Sequence, residues 1–357
     1  MALAFVASLA VALLLPLVYA VTRGLPVALA VIAFVALEAI VVQRIRYLPR
    51  GTPPPVWFER WLVWGYFGVA AIGGWFTPIG GVVWVVAGDG AALDVAFAAS
   101  AFLGLSSTGI PWRRMVTPEV QVRIPGLPAA FDGLRIAQLT DVHAGPMVPR
   151  RWLKGWVQRA RALKPDVVVL TGDLIASGTE FVPDLEAALS GLGLPTYAVM
   201  GNHDYFGGAG EAVLAMHRRL GHTLLDNRAV LLERGDARLA FAGIDDTWTG
   251  RDDLDAALRG VPAGVPVVLL AHDPIVFPDA ARRGVGLQIS GHVHGGQVQI
   301  PLVDTRGSPL RWFGFRFVRG LYGLEDSVMW LGAGLGTTGA PIRVGVPSEL
   351  PVLVLRA

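Results

Sequence analysis

Five short stretches carry most of the residues able to do metal chemistry: Asp141-Val142-His143, Gly172-Asp173, Gly201-Asn202-His203-Asp204, His272-Asp273 and Gly291-His292-Val293-His294. Of the seven histidines in the chain, five fall here, so the imidazoles are gathered rather than scattered. Carboxylates, imidazoles and one amide oxygen suit hard-to-borderline divalent cations such as Mn, Fe, Zn, Ni or Mg. The set is too large for one tetrahedral ion. Two cations about 3.5–4 Å apart, sharing a bridging carboxylate, would use all the ligands, polarise a phosphoryl group and lower the pKa of a bound water. Taken singly, each motif is more often a helix cap or a loop hydrogen bond than a metal ligand. Their common position in the chain decides between these readings.

Each stretch follows a strand-like run. "RIAQLT" precedes Asp141, "VVVLT" precedes Gly172, "YAVM" precedes Gly201, "VVLLA" precedes His272 and "LQIS" precedes Gly291. "PRRWLKGWVQRARALK" and "PDLEAALSGL" lie between the first three and have helical apolar spacing. The order strand–helix–strand–helix–strand is the pattern of parallel crossover units. Asp141 and Asp173 are 32 residues apart, and Asp173 and Asn202 are 29 apart, each the length of one such unit. Ligands of open α/β sheets bind beyond the carboxyl ends of the strands, so five strand tips can converge on one site. "ARLAFAGIDD", "PVVLLAHDP", "GLQISGHVHGG" and "VMWLGAG" predict a second sheet and a layered α/β domain. His217, on the amphipathic helix "AGEAVLAMHRRLG", and His222, in a turn, read as structural.

These motifs, in this order, resemble those of the calcineurin-like metallophosphoesterases. The phrases "LTDVHAG", "KPDVVVLTGDL", "GNHDYFGG" and "SGHVHGGQVQIP" are similar to the bacterial membrane-associated branch that includes YkuE- and YaeI-type phosphoesterases. The resemblance covers about residues 118–356, with no motif missing. It implies an αββα sandwich over residues 118–357. It also implies one metal on Asp141, His143, Asp173 and His294, and another on Asp173, Asn202, His272 and His292, with Asp173 bridging and Mn favoured. A metal-bridging hydroxide would then attack phosphorus. His203 would donate to the leaving oxygen or the phosphoryl group, oriented by Asp204.

The remainder of the chain has a different character. Over 357 residues the composition is 53% hydrophobic and 16% charged, with mean hydropathy +0.51, too apolar for an ordinary soluble protein. Residues 1–117 hold seven basic and four acidic residues, whereas residues 118–357 hold 23 and 24. Uncharged runs at residues 1–21, 25–42, 61–76 (extending past Pro78 to Ala87) and 91–105 predict about four membrane-spanning helices within residues 1–110. No charge precedes the first run, and a second follows almost at once, so a helical hairpin fits better than a signal peptide. Trp57, Trp61, Trp64, Trp75 and Trp84 lie near the predicted ends. Arg44, Arg46, Arg50 and Arg60 fall in one loop, Arg113 and Arg114 follow the fourth run, and the intervening loop has only Asp89. The positive-inside rule then places both basic segments, and the following domain, in the cytoplasm. Glu38 and Asp94 read as residues near span ends rather than as functional groups.

Cysteine is absent, which excludes disulfides, thiolate metal sites and a cysteine nucleophile. No Ser/His/Asp triad or Walker loop is present. "GLGTTG", Gly334 to Gly339, formally matches a dinucleotide pattern, but Pro341 and Pro347 leave no room for the crossover helix that must follow. It reads as a turn beside the metal site, and Arg343 as a surface ion-pair partner in preference to a contact for a substrate phosphate. A pI near 9.1 from a narrow arginine excess is weak evidence for nucleic acid, and none is expected. The sequence therefore predicts a metal-dependent phosphoric ester hydrolase of the bacterial inner membrane, phosphodiesterase or pyrophosphatase. Its expected partners are membrane lipids and a phosphorylated small-molecule or lipid-linked substrate such as UDP-diacylglucosamine. The alternative is a non-catalytic, metal-dependent sensor or scaffold for a phosphorylated ligand.

Overall fold

The computed structural model describes residues 2–47, 55–87, 90–109, 114–299, 310–311 and 314–357. Contacts divide the chain into two compact units, residues 1–113 with 339–343, and residues 114–338 with 344–357.

The first unit is helical. Ala2–Thr22 (α1) and Val27–Tyr47 (α2) are followed by a π-helical segment, Phe58–Val63, that leads into Trp64–Ala87 (α3) and then Gly90–Gly109 (α4). All four predicted runs are helical, and α3 continues through Pro78 without a break. Among the described residues, two stretches are long and apolar enough to cross a membrane, Arg60–Val83 and Gly90–Thr108. Two shorter apolar stretches, Ala12–Thr22 and Val27–Gln43, lie in α1 and α2. Asp94 pairs with Arg23 (Nε to Oδ1, 2.8 Å) and accepts the Tyr19 hydroxyl, which gives this acid a local partner. Glu38 is half-buried in α2, and its Oε1 has no hydrogen-bond partner among the described residues. Trp61 is 66% exposed, and Trp64 donates its Nε1–H to the Thr108 carbonyl. Arg50, Asp89, Arg113, Ile300 and Pro301, with the side chains of Arg44, Arg46 and Trp84, lie outside the described residues.

The second unit is a two-sheet sandwich. One sheet runs β2 (Glu119–Arg123), β14 (Val352–Arg356), β3 (Arg135–Leu139), β4 (Val167–Thr171), β5 (Thr196–Val199), β6 (Thr223–Leu224). All its neighbours are parallel except β14 against β3, where Leu353 lies opposite Ile136. The other sheet runs β11 (Gly320–Leu324), β12 (Ser327–Leu331), β10 (Leu287–Ser290), β9 (Val267–Leu270), β8 (Ala237–Gly243), β7 (Arg228–Arg234). Its four central strands are parallel, with antiparallel hairpin partners at both edges. A two-residue pair, β1 (Met115–Val116) with β13 (Ser348–Glu349), stands apart.

Alternation along the strands explains how the sheets stack. In β8, Leu239 and Phe241 enter the core between the sheets with Ile136, Val169, Val199 and Leu353, while Ala240 and Ala242 face the opposite way. That outer face packs with α9 (Leu254–Leu258) and α10 (Phe277–Arg282) through Ala257, Ala280 and Leu254. The helices α5 (Arg150–Ala162), α6 (Val182–Leu189) and α8 (Gly210–Arg219) pack in sequence and bury one face each, such as Leu153, Trp156, Val157 and Ala160 of α5. The result is the expected layered α/β sandwich, with strands β3, β4, β5, β9 and β10 each ending just before one of the five polar stretches.

Candidate metal centre

The loops after these strands are tied together before any side chain is considered. Asp141 donates its N–H to the Gly172 carbonyl (3.1 Å), His143 to Asp173 (3.0 Å), and Gly291 to His272 (3.0 Å). Asp141, His143, Asp173, His292 and His294 all have positive φ, from 47° to 73°. Left-handed backbone is costly for such residues and collects where structure overrides local preference for function. Here it turns each side chain inward. Glycine serves the same end by leaving room: a Cβ on Gly172, itself at φ +85°, would lie 2.6 Å from the Gly201 nitrogen and 2.8 Å from His272 Nδ1. A Cβ on Gly291 would collide with Thr140 and Asp141.

Three groups of donors result, each with its atoms mutually within 4.8 Å: Asp141, His143 and His294; Asp173, His272 and His292; and His143, Asp173 and His203. His143 Nε2 lies 2.9 Å from His294 Nε2, and His294 Nε2 lies 3.4 Å from Asp141 Oδ1. His272 Nε2 lies 3.2 Å from His292 Nδ1. Asp173 Oδ2 stands between the groups, 3.6 Å from His143 Nε2 and 3.3 Å from His272 Nε2. Its other oxygen accepts the His203 N–H at 2.8 Å, which fixes the carboxylate. The structure therefore brings together Asp141, His143, Asp173, His203, His272, His292 and His294. Asn202 is buried in the loop beside them, on the residue before His203.

The protonation pattern follows from these partners. A carbonyl oxygen only accepts, so His272 Nδ1, 2.8 Å from the Thr171 carbonyl, carries the hydrogen, and Nε2 faces Asp173. An imidazole held this way is oriented as a metal ligand. Burial pushes His272 down, but the charge and hydrogen bond of Asp173, with Asp141, outweigh it and raise the ring to about 10. Burial also works against Asp173, yet His272 and its neighbours hold that carboxylate well below the usual range. Burial raises Asp141 to about 6, and burial with the His272 charge lowers His292 to about 4. The carboxylates thus demand positive charge. The residues fit a cation by a second observation: Asn202 is only 3% exposed, and its Oδ1 has no hydrogen-bond partner among the described residues. A buried carbonyl oxygen without a donor is costly, and a cation would satisfy it.

One expected contact takes a different form. Among the described residues, Asp204 makes no hydrogen bond to the His203 ring. Its Oδ1 accepts the N–H groups of Leu174 (2.8 Å) and Ile175 (3.2 Å), and its Oδ2 accepts that of Gly201 (3.0 Å). Asp204 therefore clamps the Asp173 loop to the Asn202 loop, and burial with the nearby Asp173 charge raises it to about 7. The His203 ring is held instead by the Ala176 carbonyl, 2.7 Å from Nδ1, with Thr338 Oγ1 3.3 Å from Nε2. Arg343 also departs from expectation, being buried rather than at the surface. "GLGTTG" does lie beside the site: Gly336 donates its N–H to the Asp141 carbonyl (2.7 Å).

Several contributors carry no motif. Gln138, fully buried beneath the site, donates through Nε2 to Thr171 Oγ1 (2.7 Å) and to the Ser290 carbonyl (2.9 Å), and accepts from Trp330 Nε1 (3.0 Å), joining the two sheets. Thr140 donates to Asp141 Oδ2 at 2.8 Å. Trp248, 66% exposed, stands edge-on to the His292 ring (5.2 Å between centroids), and Phe206, 40% exposed, lies 4.6 Å from His203. A polar residue in mid-strand is a visible signal for Gln138, but nothing in the spacing marks Trp248 or Phe206.

Residues 134–296 match the family of calcineurin-like phosphoesterases. The chain contains a calcineurin-like metallophosphoesterase domain. A "Transmembrane protein with metallophosphoesterase domain" from Danio rerio is 33% identical over 256 residues, which cover 67% of this chain and 56% of that protein. The chain thus spans little more than half the length of that relative. "Uncharacterized metallophosphoesterase YkuE" from Bacillus subtilis is 29% identical over 249 residues, covering 68% of this chain and 85% of the relative. A crystal structure from Thermus thermophilus aligns at TM-score 0.40 and 14% identity, over 57% of this chain and 90% of that one.

Proposed function

We propose that the chain is a membrane-anchored phosphoester hydrolase working with two divalent cations, Mn favoured. Residues 1–110 form the membrane region in this reading and residues 118–357 the catalytic domain, on the cytoplasmic side of a bacterial inner membrane as the arginines suggest. The observation that carries it is Asp173 Oδ2, which faces His143 on one side and His272 on the other. Asp141, His143, Asp173 and His294 would hold one cation, and Asp173, Asn202, His272 and His292 the other. Such a pair, when bound, polarises a phosphoryl oxygen and makes water a stronger acid.

The protein groups have their own tasks. The Thr171 carbonyl keeps His272 Nε2 directed at Asp173. The Ala176 carbonyl holds His203 by Nδ1 and leaves Nε2, 3.3 Å from Thr338 Oγ1, to pass a proton to the departing oxygen of a phosphoester. Asp204 keeps the two loops in register. Trp248 and Phe206 offer apolar contact to the organic part of a substrate, which supports a diester or pyrophosphate, including a lipid-linked one such as UDP-diacylglucosamine, over a bare monoester. Purified full-length protein should hydrolyse bis(nitrophenyl) phosphate in the presence of Mn²⁺, and Asp173→Ala should abolish the reaction. Equal rates with and without added metal would sink the proposal.

A further inference from the structure

The first turn of helix α5 carries a charge pattern that the helix's own stability does not account for, while Arg159, Arg161 and Lys164 sit at the end where its dipole favours cations. Arg150, Arg151, Lys154, Arg159 and Arg161 are all exposed, Lys164 follows in the next turn, and residues 150–164 contain no acid. The helix N-terminus favours negative charge, yet Arg150 and Arg151 occupy its first turn, and Pro149 supplies no side-chain cap. Arg150 and Lys154 are like charges at i, i+4, which repel on the same face. The buried face, Leu153, Trp156, Val157 and Ala160, fixes the cationic arc outward. Nearby acids are engaged: Asp184 pairs with Arg150 at 3.5 Å, and Glu186 is taken by Arg219 at 2.7 Å. Arg151, Lys154, Arg161 and Lys164 have no ion-pair partner among the described residues.

We infer that this face of α5 docks on the anionic headgroups of a lipid bilayer. Four such cations on one helix and its following turn match a surface of phosphates, and each contributes attraction only within a Debye length of such a surface. The domain as a whole is nearly neutral, so this is a local patch rather than a basic protein suited to nucleic acid. The same chain carries two helices, Arg60–Val83 and Gly90–Thr108, that are long and apolar enough to cross a bilayer. The inference rests on the proposed membrane location for its choice of partner, and on no catalytic step.

Lys154 and Lys164 are the only lysines in the sequence, so an amine-reactive reagent reports almost solely on this face. The full-length chain would be placed in nanodiscs of phosphatidylcholine alone, or of phosphatidylcholine with phosphatidylglycerol, and acylation of both lysines followed by mass spectrometry. Labelling should slow severalfold in the anionic discs, recover in high salt, and lose its lipid dependence in the Arg151→Gln/Arg161→Gln variant. The variant should keep wild-type hydrolysis of a soluble nitrophenyl ester, which shows that it folds. Retention of the chain by neutral discs and turnover of the ester read the membrane and hydrolase proposals separately. Equal labelling in both lipid compositions would overturn the inference. So would protection by added duplex RNA in neutral discs with none from phosphatidylglycerol, which would make the patch a nucleic-acid site.

Discussion

Asp204 has no exposed surface, and its two oxygens accept three backbone N–H groups from the loops that carry Asp173 and Asn202. Removing it strands those amides, at about 1–3 kcal/mol for each group left unsatisfied. Asp204→Ala should lower the free energy of unfolding by several kcal/mol and metal affinity by about 10–100-fold, as loss of an outer partner typically does. Urea titration and metal analysis of the purified variant check both, and unchanged metal content would show that the clamp does not set the site. Trp248→Ala should behave oppositely. The ring is mostly exposed, so stability should stay within about 0.5 kcal/mol, while KM for a bulky diester rises. At this scale the sequence picked out the Asp and His residues that the structure gathers, because each follows a strand. It could not assign Asp204 its amides or Ala176 its imidazole, since backbone partners leave no trace in residue identity.

Among the elements, β3 holds the two sheets together through one side chain. Gln138→Leu would leave Trp330 Nε1 without its acceptor and should cost about 1–3 kcal/mol, measured as a lower denaturation midpoint. Helix α8 makes stability depend on pH. His217 and His222 face each other at 3.0 Å through Nδ1, and His217 Nε2 is buried with no partner among the described residues. Burial, and for His217 the His222 charge too, lowers them to about 3 and about 4. The unfolded chain binds these protons near pH 6.5, so their contribution is whole above that pH and declines as pH falls toward 4. Each histidine then costs up to about 1.4 kcal/mol per pH unit. Comparing urea midpoints at pH 7.5 and 5 for the wild type and His217→Leu tests this; the variant should lose part of the slope. Periodicity revealed the crossover units. It missed the placement of β14, because a strand's neighbours are set by long-range packing, and its own pattern says only that it is a strand.

For the whole molecule, the buried carboxylates Asp141, Asp173 and Asp204 make the folded state a preferential host for cations. At a free metal concentration about a thousand times Kd, binding adds about 4 kcal/mol to stability. Chelation should therefore lower the melting temperature of the detergent-solubilised chain, and Mn²⁺ should restore it. A melting temperature indifferent to chelator would mean that the fold needs no metal. The sequence separated an apolar first third from a balanced remainder because charge is countable.

The position of β14 has a consequence in time. It comes later in the chain than every other strand, yet it sits between β2 and β3. During synthesis β3 therefore waits with one edge bare until residues 352–356 have left the ribosome and inserted, a long-range pairing of the kind that folds slowly. Asp141 stands two residues beyond that strand. The site should thus be completed only after translation has passed residue 356, so metal loading follows the insertion of β14.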